Sequence, residues 1–358
     1  MTLQRAEVER LAAVRTDAAV SVLLPLQRQS PGNAEDRLRL RHLVEAAERT
    51  LREEHPRVAP AAIEQLSSAV AAVDLTHPED GLAIYATPTE HAVHPLPFTV
   101  PERVVVDRSF ATRDLLLGMQ RTPRWRVVAI SLAETRVVDG FGVRATERRD
   151  TGFPLRSEAR GVADAPHKDL PVHDDRPEAF RAAFRAVDRA LTELQRADPR
   201  VLVVAGPERD LAYFDEVTTH GDAIAGRITG SHTATGAAEL ARLVAPVLAG
   251  HEARVRDRAV ASLADAVGRR RAATGTVEVW NAARAGRGHL LVVEAEHSVP
   301  ARIDGDDLEL LDTDALPRSY DDAVDEIAEV VLRHGGDVVF VEAGRLDDYA
   351  GIALVLRY

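Results

Sequence analysis

Short apolar runs alternate along this chain with longer stretches in which apolar positions recur every three or four residues. Residues 19–26 (Ala-Val-Ser-Val-Leu-Leu-Pro-Leu) are almost wholly apolar and predict a buried strand ending at Pro25. After a loop over 27–33, Leu38, Leu40, Leu43, Val44, Ala47 and Leu51 keep helical spacing. Arg37, Arg41, Arg49 and Arg52 fall largely outside that stripe, so 36–54 is predicted as an amphipathic helix. A second helix is expected over 60–73, with Pro60 suited to its first turn. Residues 81–86 predict a strand, as do 104–106, and a helix near 112–119 closes this first unit. Pro123 marks a boundary.

The pattern then starts again. A strand is expected over 125–131, a turn at 133–134, a strand over 135–140 and a third over 143–147. Residues 151–177 are punctuated by Gly152, Pro154, Gly161, Pro166, Pro171 and Pro177. A loop of that length in a compact domain is either functional or disordered. A long helix over 178–197, strands over 201–205 and 223–228, and a helix over 236–248 follow. A separate helix over 251–271 is predicted to bridge into a last domain. There the pattern predicts a helix over 276–285, stopped by Gly286-Arg287-Gly288, and a strand over 289–294. A polar acidic segment over 300–319, a helix over 320–334 and buried strands over 338–341 and 352–356 complete it. Gly335 or Gly336 supplies the left-handed residue that ends the last helix. Strands alternating with helices predict α/β layering throughout, in three domains over 1–122, 123–250 and 251–358.

At 358 residues the chain is too long for one ordinary core. No apolar run approaches the roughly 18 residues that span a bilayer. The first ten residues carry acids and no apolar core, so a signal peptide is not expected and a cytoplasmic location is. With no cysteine, disulfides, zinc ribbons and thiol catalysis are excluded. The 13 histidines show no His-x-x-x-His spacing, and neither a Gly-x-Ser-x-Gly elbow nor a phosphate-binding Walker loop occurs. No metal and no cofactor are expected. Lys168 is the single lysine among 45 basic residues. The net charge of −12 is concentrated at the end: residues 301–358 hold 15 acids and 5 arginines. Nucleic-acid contact therefore belongs to the first two-thirds, and the acidic end suits solvent or a protein partner.

The terminus carries a resemblance. Gly335-Gly336 before a strand, then Gly351-Ile352-Ala353 leading to Leu356-Arg357-Tyr358, resembles the C-terminal domain of archaeal and eukaryotic class-1 peptide release factors and of their relative Pelota. That domain is related to kink-turn-binding ribosomal proteins. Residues 20–25, the Leu- and Arg-rich helix, and Gly81-Leu82-Ala83-Ile84-Tyr85 resemble the decoding domain. The strand-turn-strand, long loop, long helix and strand over 201–205 resemble the domain that carries the Gly-Gly-Gln loop. The order of all three is most similar to the bacterial branch of the family.

The departures shape what the resemblance implies. Release factors place Gly-Gly-Gln in the peptidyl-transferase centre, where the glycines let the backbone approach closely. This chain has no such tripeptide: loop 151–177 has no glutamine, and its polar residues include Arg156, Ser157, Glu158, Arg160, His167 and Lys168. Stop-codon readers carry Asn-Ile-Lys-Ser where this chain has Asn33-Ala34-Glu35-Asp36, so an acid replaces the lysine. Tyr85 matches a decoding-domain tyrosine, although a tyrosine on a half-buried strand more often packs. The resemblance thus implies a non-catalytic factor that binds the ribosome (ribosomal RNA and tRNA) at the A site in rescue or hibernation. A translational GTPase such as elongation factor Tu would meet the acidic end. The enzymatic alternative is peptidyl-tRNA hydrolysis with the variant loop.

Candidate RNA contacts are Asn33, Arg37, Arg39 and Arg41 in the first domain, Arg156, Arg160, His167 and Lys168 in the loop, and Arg269, Arg270 and Arg271 beyond it. Each has a plainer reading. Arg41 can pair with Glu45 one helical turn on, and Arg269–Arg271 near a helix C-terminus suit its dipole.

Overall fold

The computed structural model describes residues 4–150, 152–156, 176–304, 307–311 and 321–358. Residues up to 121 pack with residues 255–358 into one compact unit, and residues 122–254 form another. Among the described residues no helix is long and apolar enough to cross a membrane.

The first segment opens with a short helix, α1 (Arg5–Ala12), that the sequence pattern did not announce. Only Val8, Leu11 and Ala12 are buried on it, too few for a periodic signal. Strand β1 (Ala19–Pro25) follows, then α2 (Ala34–Glu54), α3 (Ala59–Ala71), β2 (Gly81–Ala86), β3 (His91–Leu96), β4 (Arg103–Asp107) and α4 (Arg113–Arg121). The sheet order is β3-β2-β1-β4, antiparallel throughout. Helices α2 and α3 bury Leu40, Ala47, Leu51, Ala62, Leu66 and Ala69 against Val20, Val22, Leu24, Leu82 and Ile84. Strand β3 carries two histidines and a proline and is mostly half-exposed, which is why its pattern does not read as a strand.

In residues 122–254, β5 (Arg124–Ala129), β6 (Glu134–Phe141), β7 (Arg144–Arg148) and the short β8 (Leu155–Arg156) precede α5 (Arg176–Ala197), β9 (Val201–Gly206), α6 (Glu208–Val217), β10 (Ile224–Thr229) and the start of α7 (Ala237–Gly268). The sheet runs β10-β9-β5-β6-β7, with β9 parallel to both its neighbours. Helix α5 packs Phe184, Val187, Leu191 and Leu194 on one face, and α7 packs Leu240, Val244 and Leu248 on the other. Covering both faces demands the continuous apolar runs seen at 125–130 and 201–205. One polar group breaks the rule. Arg126 is wholly buried on β5, where its Nε and Nη2 donate to Asp139 at 2.6 and 2.9 Å and its Nη1 donates to Gln195 at 2.7 Å.

Helix α7 corrects the sequence reading. Residues 236–248 and 251–271 were expected as two helices, yet one 32-residue helix runs through Pro246 and Gly250. Its two halves bury different faces: Leu240, Val244 and Leu248 in one core, and Ala259, Leu263 and Ala266 in another. Packing on both sides outweighs the local helix-breaking preference. After it come β11 (Ala272–Thr274), α8 (Thr276–Arg284), β12 (Gly288–Glu294), β13 (Pro300–Asp304), β14 (Asp307–Leu310), β15 (Asp321–Asp322), α9 (Ala323–Arg333), β16 (Asp337–Val341) and β17 (Ile352–Leu356). The main sheet is β11-β17-β12-β16, with β12 and β16 parallel. Part of the segment expected to be merely polar and acidic forms a small sheet, β14-β13-β15.

Within the first unit, a polar seam joins α1, β4 and α4 to the acid-rich α9. Arg113, nearly buried, donates to the carbonyl oxygens of Ala295, at 2.8 Å, and His297, and to Asp322 at 3.1 Å. Arg103 bridges Asp114 and Asp325 at 3.1 and 2.8 Å. Arg15 faces Glu329 and Glu326 at 3.2 and 3.7 Å, and Ser109 donates to Glu326 at 2.6 Å. Three guanidiniums therefore meet five carboxylates, Asp114, Asp322, Asp325, Glu326 and Glu329. Burial, opposed by Arg103, lifts Asp325 from 3.8 to about 6, and burial together with Glu326 pushes Glu329 well above the usual carboxylate range.

Two measurements test these readings. Arg126→Leu leaves Asp139 buried without its main partner, and a loss of about 3 kcal/mol in urea unfolding is expected; unchanged stability would contradict it. For the seam, an acid whose folded pKa is raised contributes stability below its unfolded pKa and loses it as pH rises through the folded one. For Asp325 that window runs from about 4 to about 6. Half-buried His94 and His297, lowered by desolvation, work in the opposite direction as pH falls. Glu329→Gln should therefore gain in stability on the native protein as pH rises above the ordinary carboxylate range. Stability curves that stay parallel would refute the buried acid excess.

Candidate nucleic-acid interface

Asn33, expected as an RNA contact, is the N-cap of α2. Its Oδ1 accepts from the Asp36 N–H at 2.7 Å, while its Nδ2 donates to the Ser30 carbonyl at 2.8 Å and to Asp36 at 2.7 Å. A capping side chain satisfies one of the N–H groups that a helix start leaves open. Asp36 is itself buried and also accepts from the Gln27 N–H at 3.0 Å, which closes the loop over 27–33. Asp36, at the place of the motif's serine, is thus a structural brace, whereas Glu35, at the place of its lysine, is exposed and accepts from Gln27 Nε2 at 3.2 Å. Arg39 pairs with Asp36 and lies 3.9 Å from Glu102. Arg41 lies 3.9 Å from Glu45, as the helical spacing suggested. Arg37 is exposed on the first turn, and no carboxylate partner is seen for it among the described residues. Tyr85 is fully buried, with its hydroxyl donating to the Ala111 carbonyl at 3.0 Å and its ring 4.8 Å from Phe110. It packs and does not present itself to a ligand.

The loop candidates are mostly out of view. Arg156 ends β8, is largely exposed and sits 3.3 Å from Glu134. Arg160, His167 and Lys168 lie outside the described residues.

The third group behaves differently. Helix α7 ends at Gly268, and Arg269–Arg271 form the turn beyond it. The Arg271 N–H reaches back to the Ala266 carbonyl at 2.8 Å, and the Arg270 N–H to Val267 at 3.0 Å. These are the paired bonds of a Schellman cap, which needs a left-handed residue at its centre. The same cap ends α8 and α9, where Gly286 (φ +67°) and Gly335 (φ +69°) fill that position. At α7 the position holds Arg270, at φ +56°. An L side chain there is strained. The reversal at Arg270 sets Arg269 and Arg271 around one open cavity of about 380 Å³, together with His289 and Arg357. Arg357 and His289 were not singled out from sequence, because they lie far along the chain and only the cap and the sheet bring them near.

Residues 124–287 match the description "Bacterial archaeo-eukaryotic release factor family 3". That segment is similar to the bacterial branch of the release-factor family. The matched segment includes the strands and helices that flank loop 151–177 and the cap at Arg270. No curated protein matches the chain. Among solved structures, archaeal translation termination factor aRF1 is 16% identical, covering 100% of this chain and 99% of that one, with a TM-score of 0.24. S. cerevisiae Dom34, a translation termination-like factor, is 14% identical, covering 75% and 73%, with a TM-score of 0.43. An archaeal Pelota, from a structure of ribosome-bound Pelota and ABCE1, is 12% identical over 100% and 95%, with a TM-score of 0.40.

The three caps make a matched comparison. Arg270→Gly should relieve the left-handed strain and raise stability by about 0.5–1 kcal/mol, whereas Gly335→Ala should lower it by about 1 kcal/mol. Thermal melts of both variants check this; a destabilised Arg270→Gly protein would show that the arginine side chain outweighs the backbone strain.

Proposed function

We propose that this protein is a ribosome-binding factor that occupies the A site during rescue or hibernation and does not decode stop codons. The match of residues 124–287 to a release-factor family carries this reading, because that segment contains the loop that in release factors bears the catalytic tripeptide. Here the tripeptide is missing, and the position matching the decoding lysine holds Glu35, an exposed acid next to the buried brace Asp36. Loss of both signatures with retention of the surrounding frame suits occupancy better than hydrolysis. The reading divides the chain into a decoding-like part over 1–122, a central part over 123–250 and an acidic part over 251–358. In it, Arg37 contributes a phosphate contact in the decoding region, the residues of loop 151–177 face the tRNA acceptor end, and the acidic part meets a translational GTPase such as elongation factor Tu. A cytoplasmic site of action follows.

Co-sedimentation with bacterial ribosomes across a salt series, with and without elongation factor Tu, tests this. Binding that weakens with salt and is blocked by A-site tRNA is expected, with Arg37→Glu weakening it further. No binding at any salt concentration would overturn the reading. Peptide release from a loaded ribosome that disappears on deleting residues 156–168 would instead establish an enzyme.

A further inference from the structure

Residues 301–358 carry a balance of −10, so an anion is not drawn to this part of the chain by its overall charge. One place differs. The cavity beyond the end of α7 brings together Arg269, Arg271 and Arg357 with a single carboxylate, Asp265, which Arg269 holds at 3.1 Å. The other two guanidiniums are fixed without being neutralised. Arg271 Nη2 donates to the Arg357 carbonyl at 2.7 Å, and Arg357 Nη2 donates to the His334 carbonyl. Each retains N–H groups and a full charge for a ligand. A carbonyl tether also lowers the entropy lost when a flexible arginine meets an anion.

The remaining walls are of another kind. Val355 and Leu356 border its floor with their side chains turned into two separate cores, and the exposed His289 adds a flat ring. The volume of about 380 Å³ lies in the range of small-ligand sites. Guanidinium forks recognise phosphate oxygens in pairs, and an exposed aromatic ring accepts a base by stacking. The strained Arg270 adds to this, because left-handed strain at a non-glycine residue persists where the surrounding arrangement requires it.

We propose that this cavity binds the phosphate of a single nucleotide, with the base against His289. A long RNA would bring many charges toward an acidic surface, so a free nucleoside monophosphate fits better than a strand. The site goes beyond ribosome binding and would stand whether or not the protein enters an A site.

Calorimetric titration of the full-length protein with AMP tests it, alongside inorganic phosphate and a fluorescein-labelled RNA decamer. Saturable AMP binding is expected. Arg269→Gln should weaken it about two- to fivefold, the range of an exposed charge contact, and Asp265→Asn should tighten it by a similar factor. Arg258→Gln, on the same helix outside the cavity, should change nothing. Both opposite-signed variants are surface changes, so a folding defect would not reproduce the pattern. AMP displaced by the decamer at equal or lower concentration would identify a strand end as the source. Absence of AMP binding, phosphate binding as tight as AMP, or equal affinities in all variants would each overturn the proposal.

Discussion

The hydrogen bonds of Arg113 hold together two stretches of chain separated by some 180 residues, and the architecture of the first unit depends on them. The guanidinium is almost fully removed from water, which is costly unless its donors are met. They are met by two backbone carbonyls and a carboxylate, and the carbonyls belong to the turn leaving β12. Backbone acceptors cannot be swapped by mutation, so this contact fixes position more than it adds stability. The apolar part of the same seam supports it: Leu116 and Leu117 of α4 pack against the core formed by Val324, Ile327, Ala328 and Phe340. Gln120 adds a reciprocal pair, its side chain giving to and taking from the backbone of Phe340 at 2.6 and 2.9 Å.

Much of the layering was legible from the chain because sheets covered on both faces require unbroken apolar strands. The strands at 19–25, 81–86, 201–206 and 352–356 are of this kind. Where burial is partial, the signal fades. Strand β3 has histidines and a proline on a half-exposed edge, and α1 and α6 contribute three buried side chains each. The single long helix was hidden by Pro246 and Gly250, whose local preference points to a break that tertiary packing overrides.

Site residues were less legible than strands, for a different reason. Charge and exposure can be read from a sequence, but the partner that consumes a charge cannot. Asn33, Arg39 and Arg41 look like one basic, polar approach to RNA, yet a cap, a buried brace and a helical neighbour occupy them. Arg269–Arg271 look like a helix terminus suited to the dipole. The cap geometry instead turns two of them toward a cavity shared with Arg357.

The excess of acid in the seam has a thermodynamic corollary. Asp325 and Glu329 hold protons more tightly when buried than they would in water. Any partner that separates the segment up to residue 121 from α9 would expose them and release protons to the solvent. By linkage, such a partner would bind more tightly as pH rises through the acids' buried range. The closed seam is then a proton reservoir, and its opening is a reaction in which hydrogen ion is a product.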